Sequence, residues 1–338
     1  MIHGGADKRG GVLGGARVAK GVRSGCMKES SRTTTVADQV PAAPAWWRER
    51  SDGLGTAQSL ELALLHRERS PFQVIELFDH AAFGRVLVLD GYVQASQADE
   101  FIYHEMALHV PLLGRARRDT SVLIVGGGDG GALREALVHD FVTRVTMVEI
   151  DRRVIELSNQ YLCINGDYDD PRVTLVVDHA GDWVRAAKAR SEVYDVIVLD
   201  LTEPVGPSAA LFTEGFCADL AALVSDSGVI VDSDSIFLSC GGGHFLQELS
   251  GGGENLVSVM RRTKLLPHIE VYRTKIPLYP GADFGFFLYS RDGVTLRRPV
   301  AAYQGRHYDP DIHQAAFALP RWQREWLRLE RPPGAPVE

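Results

Sequence analysis

The sequence predicts an α/β chain: a doubly wound, mostly parallel sheet preceded by a small antiparallel β region. Three observations carry that expectation. From Ser121 onward, apolar strand-like runs alternate with helical ones: "SVLIV", "GALREALVH", "RVTMVEID", "RRVIELSNQYL", "RVTLVV", "YDVIVLD", "TEGFCADLAALVS" and "GVIVDS". A glycine-rich turn, "GGGDGG", joins the first of those strands to the first helix. Upstream, "LELALLHRE", "FQVIELFD" and "GRVLVLDGYVQ" read as short strands separated by turn residues.

Taken in order, residues 1–45 are rich in Gly, Ser, Thr and Ala, lack periodicity and end in "PAAP". They are expected to form a disordered leader. A small β domain is expected over 46–118, opening at Trp46-Trp47. Within it, "DEFIYHEMALHVPLL" (Asp99–Leu113) has a helical rhythm that Pro111 and Gly114 are expected to end. Residues 119–330 make the Rossmann-like domain, the alternation of strands and helices implying helices on both faces of its sheet. Ile269–Ser290 reads as a closing pair of strands, "PRWQREWLRLE" as an outer helix, and 331–338 as a tail.

A chain of 338 residues has room for roughly two cores. Its net charge of −8 is uneven: Met1–Lys28 holds six bases against Asp7, a balance of +5, which leaves −13 for the rest. A body that acidic is a poor partner for a phosphate backbone, which argues against nucleic acid. Cys26, Cys163, Cys217 and Cys240 form no C-x-x-C pair and no zinc spacing. With no run approaching a membrane span and no signal-peptide core, a cytoplasmic protein without membrane contact is expected.

The turn "VGGGDGG" fits G-x-G-x-x-G through Gly126, Gly128 and Gly131, and Glu149 ends the next strand 23 residues after Gly126. That spacing suits a nucleotide whose ribose hydroxyls meet an acid. A dinucleotide, an S-adenosyl sulfonium compound and an unliganded structural turn all fit the glycines. Asp129 favours the sulfonium. A pyrophosphate ~4 Å from its carboxylate would meet a repulsion of about 4 kcal/mol per charge pair at an effective dielectric near 20, whereas a cation would be attracted. Acids recur at the same sheet edge: Asp129, Glu149, Asp178, then Asp200 and Glu203 after successive strands. Those strand ends line one crevice, which is expected to hold a small cation carrying an adenosine. The fourth-strand turn, Asp200-Leu201-Thr202-Glu203-Pro204, lacks the Asn/Asp-Pro-Pro-aromatic signature of amino-group methyltransferases.

A zinc site at His104 and His109 is excluded by spacing. Five residues on a helix put the rings about 140° apart, where a metal pair needs four. No metal is expected. Aromatic packing alone would account for Tyr103 and Tyr279, and strand-end capping for Asp178.

Together, "LLHRERSPFQVIELFD", "FGRVLVLDGYVQASQADEFIYHEM", "GGGDGGALREALVH", "MVEID", "LDLTEPVGP", "IPLYPGADFGFFLYS" and "HYDPDIHQAAFALP" resemble the spermidine synthase family of polyamine aminopropyltransferases, in the family's order over about residues 46–330. The resemblance implies a methyltransferase-like catalytic domain behind a small β domain, assembled as a homodimer or homotetramer. It implies transfer of an aminopropyl group from decarboxylated S-adenosylmethionine, a co-substrate and not a tightly bound cofactor, to a small di- or polyamine such as putrescine, with release of methylthioadenosine. Carried over by motif, Gln73, Gln94, His104, Asp129, Glu149 and Pro207 would contact the donor, with Asp178 or His179 beside the adenine. Tyr103, Glu203 and Tyr279 would surround the acceptor amine, and Asp200 would orient and deprotonate it. Four positions depart from the family pattern. Glu203 stands for an Asp, Ser233 for a Gln, His179 for the acid at the adenine, and Ala282 for a Gly. Two alternatives stay open: a transferase using intact S-adenosylmethionine, and a non-catalytic polyamine-binding protein.

Overall fold

Alternating apolar residues and tight turns build the first sheet. The computed structural model describes residues 43–49, 58–202, 206–234, 256–279 and 283–327. The predicted leader is outside them except for 43–45, and so are the tail and Ala282. Strands β1 (Ala45–Arg48), β2 (Ser59–Arg69), β3 (Val74–His80), β4 (Gly84–Leu89) and β5 (Tyr92–Ser96) form an antiparallel five-stranded sheet in chain order. The first strand thus begins at the last residue of the expected leader. At the β4–β5 hairpin, Asp90 and Gly91 both adopt positive φ (49° and 89°), the twist that a two-residue reversal between right-twisted strands requires. Both faces of this sheet are covered. Leu60, Leu62, Phe78, Val86 and Val88 pack with Ile276 and Leu278. Ile75, Leu77, Leu87 and Leu89 pack with Val154, Leu157 and Ile164.

The second sheet has seven strands: β6 (Thr120–Gly126), β7 (Val142–Glu149), β8 (Val173–Val177), β9 (Tyr194–Asp200), β10 (Val224–Asp234), β11 (His268–Thr274) and β12 (Phe284–Ser290). Their order is β11-β12-β10-β9-β6-β7-β8. β10, β9, β6, β7 and β8 run parallel, and β12 is antiparallel to both neighbours. The expected terminal pair is therefore the antiparallel margin of an otherwise parallel sheet. Helices α1 (Glu100–Gly114), α2 (Gly131–Leu137) and α7 (Pro310–Ala316) border one face. Helices α4 (Ala180–Ala189), α5 (Glu214–Leu223) and α6 (Leu256–Thr263) cover the other. Helix α3 (Arg152–Tyr161) reaches across to the first sheet, and α8 (Arg321–Trp326) closes the described chain. Among the described residues no helix is long and apolar enough to cross a membrane.

Helix α1 differs from expectation in two ways. Pro111 lies inside it and Gly114 is its last residue. Proline loses its N–H and crowds the carbonyl four residues back, and a helix held by burial along 12 of its 15 residues tolerates both near its end. Its buried residues also join the core of the second sheet, through Met106, Leu108, Val110 and Leu112, while Ile102 and Tyr103 near its start pack against the first.

Strand order reverses between β6 and β9, where β6 begins one series and β9 the other. Such a switch point leaves a crevice at the carboxyl ends of the strands. The register pairs Gly126 with Asp200, so the glycine turn and the fourth-strand acid face each other across it.

Candidate active site

The cleft at this switch point measures about 830 Å³ including its open mouth. Its floor is Gly126, Gly127, Gly128, Asp129 and Asp200; Glu149 and His179 stand at the ends of β7 and β8; Gln73, Leu87, Leu89 and Gln94 reach in from the first sheet. Val148, Ile150, Leu201 and Leu211 give it apolar walls. The volume and the few polar groups on apolar walls suit a nucleoside-sized ligand.

The glycine turn is shaped by close approach. Gly126 has φ of +85°, and a Cβ there would lie 2.0 Å from the Asp200 carbonyl oxygen. A Cβ on Gly131 would lie 2.3 Å from the His104 ring, so the glycine lets α1 bring that ring against the turn. Asp129 Oδ1 accepts from the Gly131 N–H at 2.8 Å, and its Oδ2 lies 3.3 Å from His104 Nε2.

Behind the floor, Tyr103 donates to Asp200 Oδ1 at 2.8 Å and lies 3.1 Å from Ser233 Oγ. The other carboxylate oxygen, Asp200 Oδ2, is buried with no hydrogen-bond partner among the described residues. Burial, reinforced by the Asp129 charge, raises Asp200 to about 6. Burial likewise raises Glu149 to about 7, although the Asp151 N–H donates to its Oε1 at 2.8 Å. Burial opposes ionisation of Asp129 too, but the His104 charge outweighs it and holds this carboxyl below its ordinary value.

Ligand atoms of His104, Asp129 and Asp200 come within 4.8 Å of one another, a spacing that a metal ion could span. The donor chemistry argues against a metal there. His104 Nδ1 meets Glu100 at 2.7 Å while Nε2 faces Asp129, so an imidazole protonated on both nitrogens has no lone pair to give. A cluster of buried carboxylate oxygens suits an organic cation instead.

The structure brings Gln73, Gln94, Asp129, Glu149, His179 and Asp200 into one cleft. Gln73 Nε2 donates to Asp151 at 3.1 Å, tying the first sheet to the start of α3. Tyr103 and His104 form the layer behind the floor, and the Tyr279 hydroxyl donates to the Gln94 carbonyl. Asp178 is exposed, its Oδ1 accepting the His179 N–H at 2.7 Å, and it is not part of the cleft wall. Glu203 and the Pro207 side chain lie outside the described residues. Sequence reasoning missed Ser208, Thr202 and the apolar walls from β4. Leu87 and Leu89 belong to the other sheet, and strand periodicity says only that they are buried.

Comparison with known proteins agrees with this geometry. Residues 100–297 match the spermine/spermidine synthase domain, and residues 45–97 match the spermidine synthase tetramerisation domain. The polyamine aminopropyltransferase of Pectobacterium atrosepticum is 40% identical over 290 residues, covering 82% of this chain and 95% of that protein. The Bacillus subtilis polyamine aminopropyltransferase is 38% identical over 270 residues, covering 78% and 92% respectively. Among solved structures, a spermidine synthase in complex with the transition-state analogue AdoDATO superposes with a TM-score of 0.73 at 28% identity, covering 88% of this chain and 99% of that one. The spermidine synthase from Thermotoga maritima gives 0.71 at 28%, covering 88% and 100%. With the glycine turn, the strand-end acids and the sheet order all in place, the chain belongs to the spermine/spermidine synthase family.

Proposed function

We propose that the chain transfers the aminopropyl group of decarboxylated S-adenosylmethionine to a small di- or polyamine, releasing methylthioadenosine. The observation that carries this reading is Asp200 Oδ2, a buried carboxylate oxygen without a partner among the described residues, on a side chain that lines the cleft together with Asp129. Such an atom is costly to desolvate unless a cation meets it.

The adenosine lies along Val148, Ile150, Leu201 and Leu211, with Glu149 taking the ribose hydroxyls and His179, or Asp178 at the rim, beside the base. By the family resemblance Pro207 joins the donor contacts. Gln73, Gln94 and Asp129 receive the aminopropyl end, with His104 held against Asp129 behind them. The acceptor amine binds between Asp200, Tyr103 and Tyr279, with Glu203 and Ser233 beside it.

The amine arrives as an ammonium, with a pKa near that of lysine at about 10.4. Asp200 holds it in line and takes its proton. The nitrogen lone pair then forms a bond to the aminopropyl carbon as the carbon–sulfur bond breaks. That electron pair returns to sulfur, turning the sulfonium into a neutral thioether. The proton that Asp200 took goes to solvent, and the new secondary amine leaves as an ammonium. No covalent enzyme intermediate is needed, because a sulfonium is already a good leaving group.

The acids at the aminopropyl end disfavour the extra carboxylate of intact S-adenosylmethionine. We place the reaction in the cytoplasm, where thiols such as Cys217 stay reduced. We assign the first sheet to a homo-oligomeric interface, since Trp46 on its edge strand β1 is 76% exposed.

The test supplies decarboxylated S-adenosylmethionine with putrescine, cadaverine, agmatine or spermidine and follows methylthioadenosine and polyamine by mass spectrometry. Stoichiometric release of both is expected. Tight polyamine binding with no product would favour a binding protein, and turnover with intact donor alone would favour another transferase.

A further inference from the structure

Behind the cleft runs a line of buried charges that the transfer reaction does not itself use. Glu100 is 5% exposed and His104 2%. One turn apart on α1, they meet at 2.7 Å between Oε2 and Nδ1. Arg134 on α2 clamps the same carboxylate with two nitrogens, at 2.9 and 3.1 Å. On its far side the Arg134 Nε donates to Glu135 at 2.7 Å, which in turn lies 3.0 Å from His109 Nε2.

We infer that Glu100, clamped by Arg134, is a positioning residue: it holds His104 as an imidazolium against Asp129, and so keeps Asp200 available as a base. This role rests on the aminopropyl-transfer reading.

A neutral imidazole has one N–H, yet here both ring nitrogens face carboxylates, and an ionised carboxylate can only accept. Arg134 is always charged, and both prongs of its fork donate to the Glu100 carboxylate. The Gly131 N–H does the same for Asp129. The proton therefore belongs on the ring. Other groups facing this cluster are Tyr103 on α1, Asp200 on β9, and Tyr168, whose ring lies near Asp129 after α3. Charge then alternates from Arg134 through Glu100 and His104 to Asp129. Burial alone would favour neutral His104, but the two carboxylates outweigh it and raise it well above its ordinary value. Without that positive charge, Asp129 and Asp200 would be two carboxylates sharing a dry pocket, and one would take a proton. Asp200 would be the one, since Asp129 keeps its backbone donor. Glu100 thus touches no substrate and acts through His104.

The decisive measurement is the nitrogen-15 titration of the His104 ring in the full chain, assigned against H104N. Both nitrogens are expected to be protonated at neutral pH. In E100Q the ring is expected to lose its proton at least about one pH unit earlier. The acid limb of kcat/KM for the amine should then move upward by about half a unit or more, with E100D falling between E100Q and wild type. A neutral His104 in the wild-type spectrum would overturn the inference, even if E100Q does not fold. So would an E100Q variant that lowers activity but moves neither the ring titration nor the acid limb, because that is the mark of a merely structural role. The ring titration is independent of turnover. An imidazolium His104 in a chain that releases no methylthioadenosine would remove the transfer reading, and the positioning role with it, while leaving the charge state standing.

Discussion

At the scale of single residues, the chemistry concentrates on the Asp200 carboxylate and on Tyr103, which donates to it. D200N keeps the shape of the side chain and removes the base. It is expected to lower kcat by about 10²–10⁴-fold while calorimetry still finds donor binding; an unchanged rate would remove the assigned base. Y103F should cost about ten- to a hundredfold, because it takes a hydrogen bond from a charged group. It should also displace the acid limb. Tyr103 donates to Asp200 and stabilises its charged form, so without the hydroxyl Asp200 gains its charge only at higher pH. In the wild type, with Asp200 near 6, kcat/KM for the amine should fall as pH drops through about 6, because the carboxylate is then protonated and neither holds an ammonium nor takes its proton. A profile flat down to pH 5 would contradict that assignment. Asp129, Glu149 and Asp200 were legible in the sequence because strand ends on one sheet edge must share a crevice. Glu100 was legible only in part. Its spacing of four from His104 sets one side of the contact, but Arg134 comes from another helix, and nothing local in the sequence says that two helices will meet there.

At the scale of elements, the glycine turn works by bringing backbone and ring close together, which gives two substitutions distinct outcomes. G126A puts a methyl 2.0 Å from the Asp200 carbonyl at φ of +85°, so β6 and β9 cannot keep their register. It is expected to lower Tm severely or prevent folding. G131A puts a methyl 2.3 Å from the His104 ring in an ordinary helical conformation. The ring can swing aside where the backbone cannot. The expected result is a folded protein with modestly reduced Tm and turnover down by tenfold or more, about 1.4 kcal/mol of transition-state stabilisation. Equal Tm losses for the two variants would refute this distinction. The alternation of strands and helices made the parallel sheet readable, as did the paired runs at its antiparallel margin. Two things were not readable. Proline predicts a helix end from its missing N–H, but the burial of α1 overrode that at Pro111. The same helix follows five antiparallel strands in the chain yet packs with the second sheet, and only tertiary contact decides that.

At the scale of the whole molecule, the cleft makes the unliganded protein sensitive to pH in a direction opposite to its surface. Glu149 near 7 and Asp200 near 6 both lie above their ordinary values of 4.5 and 3.8, burial being the main cause. The native state therefore holds protons that the unfolded chain has already lost. Their contribution to stability is fully present below about pH 4 and is lost as pH rises through 6 and 7, on the order of a few kcal/mol for the pair. Glu135 behaves the other way. Although burial opposes it, His109 and Arg134 hold it near 2, so its contribution is present at neutral pH and is lost as pH falls below about 4.5. Glu149 and Asp200 thus cost the unliganded protein stability as pH rises toward 7, opposed by His139, which burial holds near 3 and whose contribution grows as pH rises to 6.5. A sulfonium nucleoside that adds a positive charge to the cleft should raise Tm far more at pH 7 than at pH 5, because it is at pH 7 that Glu149 and Asp200 are ionised beyond what His104 offsets. D200N removes one of the two buried acids, so it should be more stable than wild type at pH 7, nearly equal at pH 4, and gain less from the ligand. Thermal denaturation across that range, with and without methylthioadenosine as the uncharged control, separates the charge effect from simple occupancy. Equal stabilisation by the sulfonium and the thioether at pH 7 would mean that the cleft reads the nucleoside and not its charge.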